Sequence, residues 1–103
     1  MKNIVIVASI KVKDEFKDEV YNELVKLHAQ THKNDEGCIQ YDLHKNLEDP
    51  NSFTFIETWE NAELLDAHMR TKHFLAFVKN TENKIKDLKL SKLENILREK
   101  NEK

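Results

Sequence analysis

A chain of 103 residues, 39% hydrophobic and 35% charged, with one Gly, one Pro and one Cys, supplies enough surface to bury for one small domain. A single Gly37 excludes the Rossmann G-x-G-x-x-G turn, the phosphate loop and the G-x-S-x-G nucleophile elbow, each of which needs several positions without a Cβ. The single Cys38 excludes an internal disulfide and a Cys-rich zinc cluster, and points to a reducing, cytoplasmic setting. A net charge of −2, with basic residues scattered among acids, leaves no footprint for nucleic acid.

The N-terminal run Ile4-Val5-Ile6-Val7-Ala8-Ser9-Ile10 is rich in β-branched residues and ends in charged residues, which predicts a buried strand. No small-residue cleavage site follows it, and it is far shorter than the roughly 20 residues of a membrane span, so neither a secretory signal nor a membrane partner is expected. Phe16, Val20, Leu24, Leu27, His28 and Thr31 then recur at spacings of three and four, predicting an amphipathic helix from Asp14 to His32. Asn34-Asp35-Glu36-Gly37 closes it as a turn. Ile39, Tyr41 and Leu43 alternate with Gln40, Asp42 and His44 as a two-faced strand, and Glu48-Asp49-Pro50-Asn51 is a turn. Ser52–Trp59, dense in aromatic and β-branched residues, completes an antiparallel hairpin.

Asn61 is a helix N-cap ahead of Leu64, Leu65, His68 and Met69, and Phe74, Phe77, Val78 and Ile85 continue an apolar stripe after a break near Thr71-Lys72. The last segment fits two periods. Leu88 and Leu90 alternate as in a strand, whereas Leu90, Leu93 and Leu97 match a helical stripe behind a Ser91-Lys92-Leu93-Glu94 capping pattern. A strand is the expectation, because a β-α-β-β-α-β order leaves the sheet a final strand to receive. The domain is expected to run over 1–97, with 98–103 as a charged tail. The resulting fold class is α+β, a ferredoxin-like antiparallel sheet with helices on one face. Val5, Val7, Thr54, Ile56 and Thr58 make the other face largely non-ionic as well. A sheet apolar on both faces expects cover on both, so a homodimer through the sheet face is predicted.

Histidine is the informative polar residue. His28 and His32 lie four apart on the first helix, but no third ligand stands near them in sequence, and no metal is expected. His68 shares the apolar stripe of its helix, and His73 sits beside the break. Folding that helix over the sheet would bring both toward Trp59, Glu57 and, by its alternation with Ile39 and Leu43, Tyr41. These five residues are the candidate site, an apolar pocket with a few convergent polar groups; the alternative is that they are simply core and rim packing. Cys38 has no evident partner base and reads as an inert small residue.

The segments Glu36-Gly37-Cys38-Ile39-Gln40-Tyr41, Asp49-Pro50 and Phe55-Ile56-Glu57-Thr58-Trp59, followed by His68 and His73-Phe74, resemble the antibiotic biosynthesis monooxygenase superfamily, including its quinol monooxygenase and autoinducer-phosphate isomerase branches. The resemblance covers nearly the whole chain. It implies a dimeric α+β barrel with a pocket between sheet and helices, and oxidation of a quinol-like or polyphenolic molecule by oxygen with no metal, flavin or other cofactor. It casts His68 as general base or hydrogen-bond partner, Trp59 as a wall for a flat aromatic substrate, and His73, Tyr41 and Glu57 as supporting polar groups. The alternatives are an isomerase acting on a small phosphorylated dione and a non-catalytic ligand-binding or stress-response module. Haem-degrading relatives carry an Asn on the first strand and a His on the last helix; the corresponding residues here look like Ser9 and Val78, so haem is not expected.

Overall fold

The computed structural model describes residues 3–96, so the expected charged tail 98–103 and the domain's end at 97 lie outside the described residues. Four strands, β1 (Ile4–Val12), β2 (Cys38–Lys45), β3 (Ser52–Trp59) and β4 (Ile85–Leu93), form one sheet in the order β2-β3-β1-β4, with every neighbouring pair antiparallel. Three helices, α1 (Lys17–Asn34), α2 (Ala62–His68) and α3 (Lys72–Asn80), complete the ferredoxin-like α+β fold. The sheet is open; one chain does not close a barrel. Among the described residues no helix is long and apolar enough to cross a membrane.

The core follows from the two periodicities. β1 turns Ile6, Ala8, Ile10 and Val12 inward, β3 turns Phe53, Phe55, Glu57 and Trp59 inward, and α1 lays Val20, Leu24, Leu27 and Thr31 over them, all buried. Each buried aliphatic or aromatic side chain contributes about 1.5–3 kcal/mol relative to exposure. The predicted helix from Asp14 begins instead as a 3-10 turn over Asp14–Phe16 and becomes α-helical at Lys17. The ambiguous last segment is a strand, starting earlier than its leucines suggested, with Ile85 paired to Val12 rather than continuing a helix.

Two local departures from regularity shape the site. The break expected near Thr71-Lys72 divides the segment after β3 into two short helices, each with its own cap. Asn61 Oδ1 accepts from the Leu64 N–H at 2.9 Å, and Thr71 Oγ1 accepts from the Phe74 N–H at 3.2 Å while donating to the His68 carbonyl at 2.7 Å. In β2 the register against β3 slips between Cys38 and Gln40, so Cys38 pairs with Trp59 and Ile39 is 54% exposed. The expected alternation placed Ile39 inside with Tyr41; the bulge gives that inward position to Cys38.

Gly37 stands at the turn between α1 and β2 with φ +80°, a conformation that disfavours a Cβ. The space is closed as well: a Cβ there would lie 2.4 Å from Leu64 Cδ1 and 2.9 Å from Leu64 Cβ. This close approach lets the α1–β2 turn dock on α2, and the Glu60 N–H donates to the Gly37 carbonyl at 2.9 Å. Gly37→Ala therefore combines backbone strain with a clash and is expected to cost roughly 2–4 kcal/mol. Urea unfolding measures it; a loss below about 0.5 kcal/mol would show that the turn and α2 separate freely.

Candidate active site

The docking of the turn on α2 brings a carboxylate into the protein. Asp35 ends α1, its N–H still donating to the Thr31 carbonyl at 3.0 Å, and its side chain is only 3% exposed. Asp35 Oδ2 lies 2.5 Å from His68 Nδ1, and Asp35 Oδ1 lies 2.7 Å from His73 Nε2. The first contact is a hydrogen bond. The second is a close polar contact off the line of the ring N–H, and neither of its atoms has an aligned partner. With Nδ1–H donated to the carboxylate, His68 turns its Nε2 lone pair toward the Tyr41 hydroxyl, 3.5 Å away.

Aromatic rings pack tightly around this pair. The His68 ring centroid is 4.6 Å from that of Trp59, 5.0 Å from Phe74 and 5.3 Å from Tyr41. Trp59 Nε1–H donates to Glu57 Oε1 at 2.9 Å. The five residues expected to converge, His68, His73, Trp59, Tyr41 and Glu57, are thus brought together. Asp35 completes the group, and the sequence reading treated it only as a turn residue. Its signal was indirect: two histidines predicted near one apolar surface need an acceptor, and the turn after α1 carries the nearest unassigned carboxylate.

Burial sets the charges. It pushes the Glu57 carboxyl up from 4.5 to about 7, opposed only by the Trp59 hydrogen bond. Burial lowers His68, with Asp35 pulling the other way, so the neutral imidazole is favoured. Burial first, then the Glu57 charge, drives the Tyr41 phenol well above its ordinary value, which keeps it a neutral donor. Cys38 is raised to about 11 by burial and by nearby carboxylates, which suits an inert thiol.

Not all of these residues face open space. A cavity of about 350 Å³ lies between α3 and the sheet, walled by Phe74, Phe77, Leu88 and Leu90 and floored by Tyr41 and Glu57. Among the described residues its lining contains no Lys, Arg or His. Trp59 and His68 stand behind the floor. A second hollow of about 410 Å³, bounded by Lys17, Tyr21, Lys45 and Phe53, holds neither Glu57 nor a histidine and lies apart from this chemistry. Asp35, His68 and His73 present three possible metal ligands within 4.8 Å of one another, where Asp35 Oδ2 and His68 Nδ1 are already joined in a hydrogen bond.

Residues 3–80 match the family model described as antibiotic biosynthesis monooxygenase. The chain belongs to this family. YcnE of Bacillus subtilis, which carries a provisional monooxygenase name, is 37% identical over 75 residues, covering 73% of this chain and 78% of that protein. The uncharacterised protein sll1783 of Synechocystis is 35% identical over 78 residues, and there the chain spans only about half, 52%, of the relative's length. Among solved structures, PA3566 from Pseudomonas aeruginosa superposes with a TM-score of 0.87 at 29% identity, covering 93% of this chain and 96% of that one. A conserved protein from Methanosarcina mazei gives a TM-score of 0.82 at 32% identity over 90% and 92% of the two chains.

The Glu57 environment has a thermodynamic signature. An unfolded Glu57 releases its proton near 4.5, whereas the folded one holds it to about 7. The folded state therefore binds more protons between those values, and stability falls as pH rises through that window. Glu57→Gln keeps an oxygen for Trp59 but removes the charge. It is expected to match the parent stability at pH 5 and to exceed it by roughly 2–3 kcal/mol at pH 8, as measured by denaturant titration at both values. Equal differences at the two pH values would show that Glu57 is ionised throughout.

Proposed function

We propose that this protein is a cofactor-independent monooxygenase that oxidises a neutral quinol-like or polyphenolic molecule with molecular oxygen. The observation that carries this reading is Glu57, a carboxylate with a pKa of about 7 in the floor of an apolar cavity large enough for an aromatic substrate. An electron-rich phenolate reduces oxygen by itself, so the protein's task is to deprotonate the phenol in a dry place and hold it there.

The roles divide by position. Glu57, held by Trp59 Nε1–H, takes the phenolic proton. Tyr41 turns its single O–H from His68 Nε2, its acceptor at rest, to the developing phenolate oxygen, while Asp35 keeps the His68 ring oriented behind it. His68, cast by the resemblance as general base or hydrogen-bond partner, acts on this reading through Tyr41, as His73 acts through Asp35. In the overall reaction a ring C–H of the phenol becomes the C=O of a quinone, one oxygen atom enters the product, and the other leaves as water. The phosphorylated-dione isomerase finds less support, since a phosphate would enter a cavity with Glu57 and Glu82 in its lining and no cationic side chain.

An oxygen electrode with a panel of hydroquinones tests this function. Parent protein is expected to consume oxygen with kcat/KM rising as pH increases through about 7, because the ionised Glu57 is the active form. Glu57→Gln is expected to lower kcat about 100-fold or more and to abolish that pH step, while His68→Ala and Trp59→Phe lower it less. No oxygen uptake across the panel would favour the non-catalytic module. Unchanged turnover in all three variants would reject the site.

We also propose that the chain forms a homodimer through the sheet face opposite the helices. On that face Val5 pairs with Thr58 and with Leu93, and Val7 pairs with Ile56, and no helix among the described residues covers them. Light scattering on a size-exclusion column is expected to return twice the 12.2 kDa chain mass at micromolar concentration. Replacing Val7 and Ile56 with Lys is expected to shift the peak to the monomer, and a parent monomer at that concentration would overturn the dimer.

A further inference from the structure

His28 and His32, which the cavity does not use, acquire in the fold the partner that the sequence withheld. His28 and His32 project from one side of α1 with ring centroids 4.5 Å apart, and Asp42, on the edge strand β2, completes a group whose candidate ligand atoms all lie within 4.8 Å of one another. We propose that His28, His32 and Asp42 form a binding site for a divalent transition-metal ion of the zinc or nickel type.

The donor set suits such an ion. Two imidazoles and a carboxylate, with no thiolate, make a three-point site that leaves coordination positions to water. Tetrahedral ligands about 2.0–2.1 Å from a metal stand about 3.3 Å apart, so closing from a spacing of at most 4.8 Å takes small side-chain adjustments, and His32 and Asp42 are both exposed.

The groups behind the ligands are already arranged. His32 Nε2 lies 2.8 Å from the Tyr41 carbonyl, which only accepts, so Nε2 carries the hydrogen and the Nδ1 lone pair is left for the ion. Asp42 Oδ2 accepts from Gln40 Nε2 at 2.9 Å, and Gln40 Oε1 accepts in turn from Thr58 Oγ1 at 2.9 Å. This chain steadies the carboxylate and leaves Oδ1 open. Among the described residues no Lys or Arg forms an ion pair with Asp42, so its charge is unmatched by a side-chain cation. A bound ion would tie α1 to the free edge of β2, on either side of the turn that carries Asp35.

Calorimetry of the untagged chain with zinc chloride tests the proposal. One equivalent is expected to bind with a micromolar Kd and to raise Tm by several degrees at saturation. His32→Ala and Asp42→Asn are each expected to weaken binding more than 10-fold, with unchanged Tm in the absence of zinc; Gln40→Ala, which touches only the supporting hydrogen bond, is expected to weaken it about 10-fold. Histidine ring NMR signals locate the ion independently of any variant. Zinc should shift His28 and His32 and leave His68 and His73 in place. The proposal is overturned by an absence of binding at millimolar zinc, by full affinity in both ligand variants, or by shifts confined to His68 and His73.

Discussion

The structure turns on one buried anion. A carboxylate withdrawn from water costs several kcal/mol unless polar partners replace its hydration, and Asp35 finds them in two imidazoles carried by different helices. Meeting that demand fixes the relative positions of the turn after α1, the end of α2 and the first turn of α3. Other local choices serve the same convergence. Gly37 allows the turn to approach Leu64, and Thr71 interrupts the helix so that His68 and His73 reach Asp35 from either side of a break. A continuous helix would carry these two residues, five positions apart, to different faces.

The interior holds a second carboxylate in a contrasting state. Asp35 is hydrogen-bonded to one imidazole and lies close to a second; Glu57 has an indole N–H on one oxygen and little else to offset its burial. Two acids in one small core thus meet different surroundings: Asp35 orients an imidazole, and Glu57, raised to about 7, exchanges its proton near neutrality. The aromatic packing of Tyr41, Trp59, His68 and Phe74 keeps water from levelling the difference.

Much of this was legible from residue order. The β-branched run of β1, the three-and-four spacing on α1 and the aromatic density of β3 are local patterns, and they placed the inward faces correctly. The meeting of His68 with Trp59 followed from a helix that must fold back over its preceding strand. Other features depended on contacts distant in sequence. The slip at Ile39 is set by pairing with β3, which alternation within β2 does not record. Asp35 looked like any turn carboxylate, because its partners lie 33 and 38 positions away. Likewise Asp42 sat on the outward parity of its strand, and only the edge position of β2 brings it round to the histidines of α1.

The leucines of β4 carry a consequence of a different kind. Leu88 and Leu90 wall the cavity but are 57% and 59% exposed, while the proton-handling residues belong to β2, β3 and the helices. Exchanging half-exposed side chains on an outer strand disturbs folding by only a few tenths of a kcal/mol. On the function proposed above, selectivity and reactivity are therefore written on separate strands. Natural drift or directed evolution can recut the outline of the cavity for a new guest along one edge of the sheet, and the buried acid beneath it need never be rebuilt.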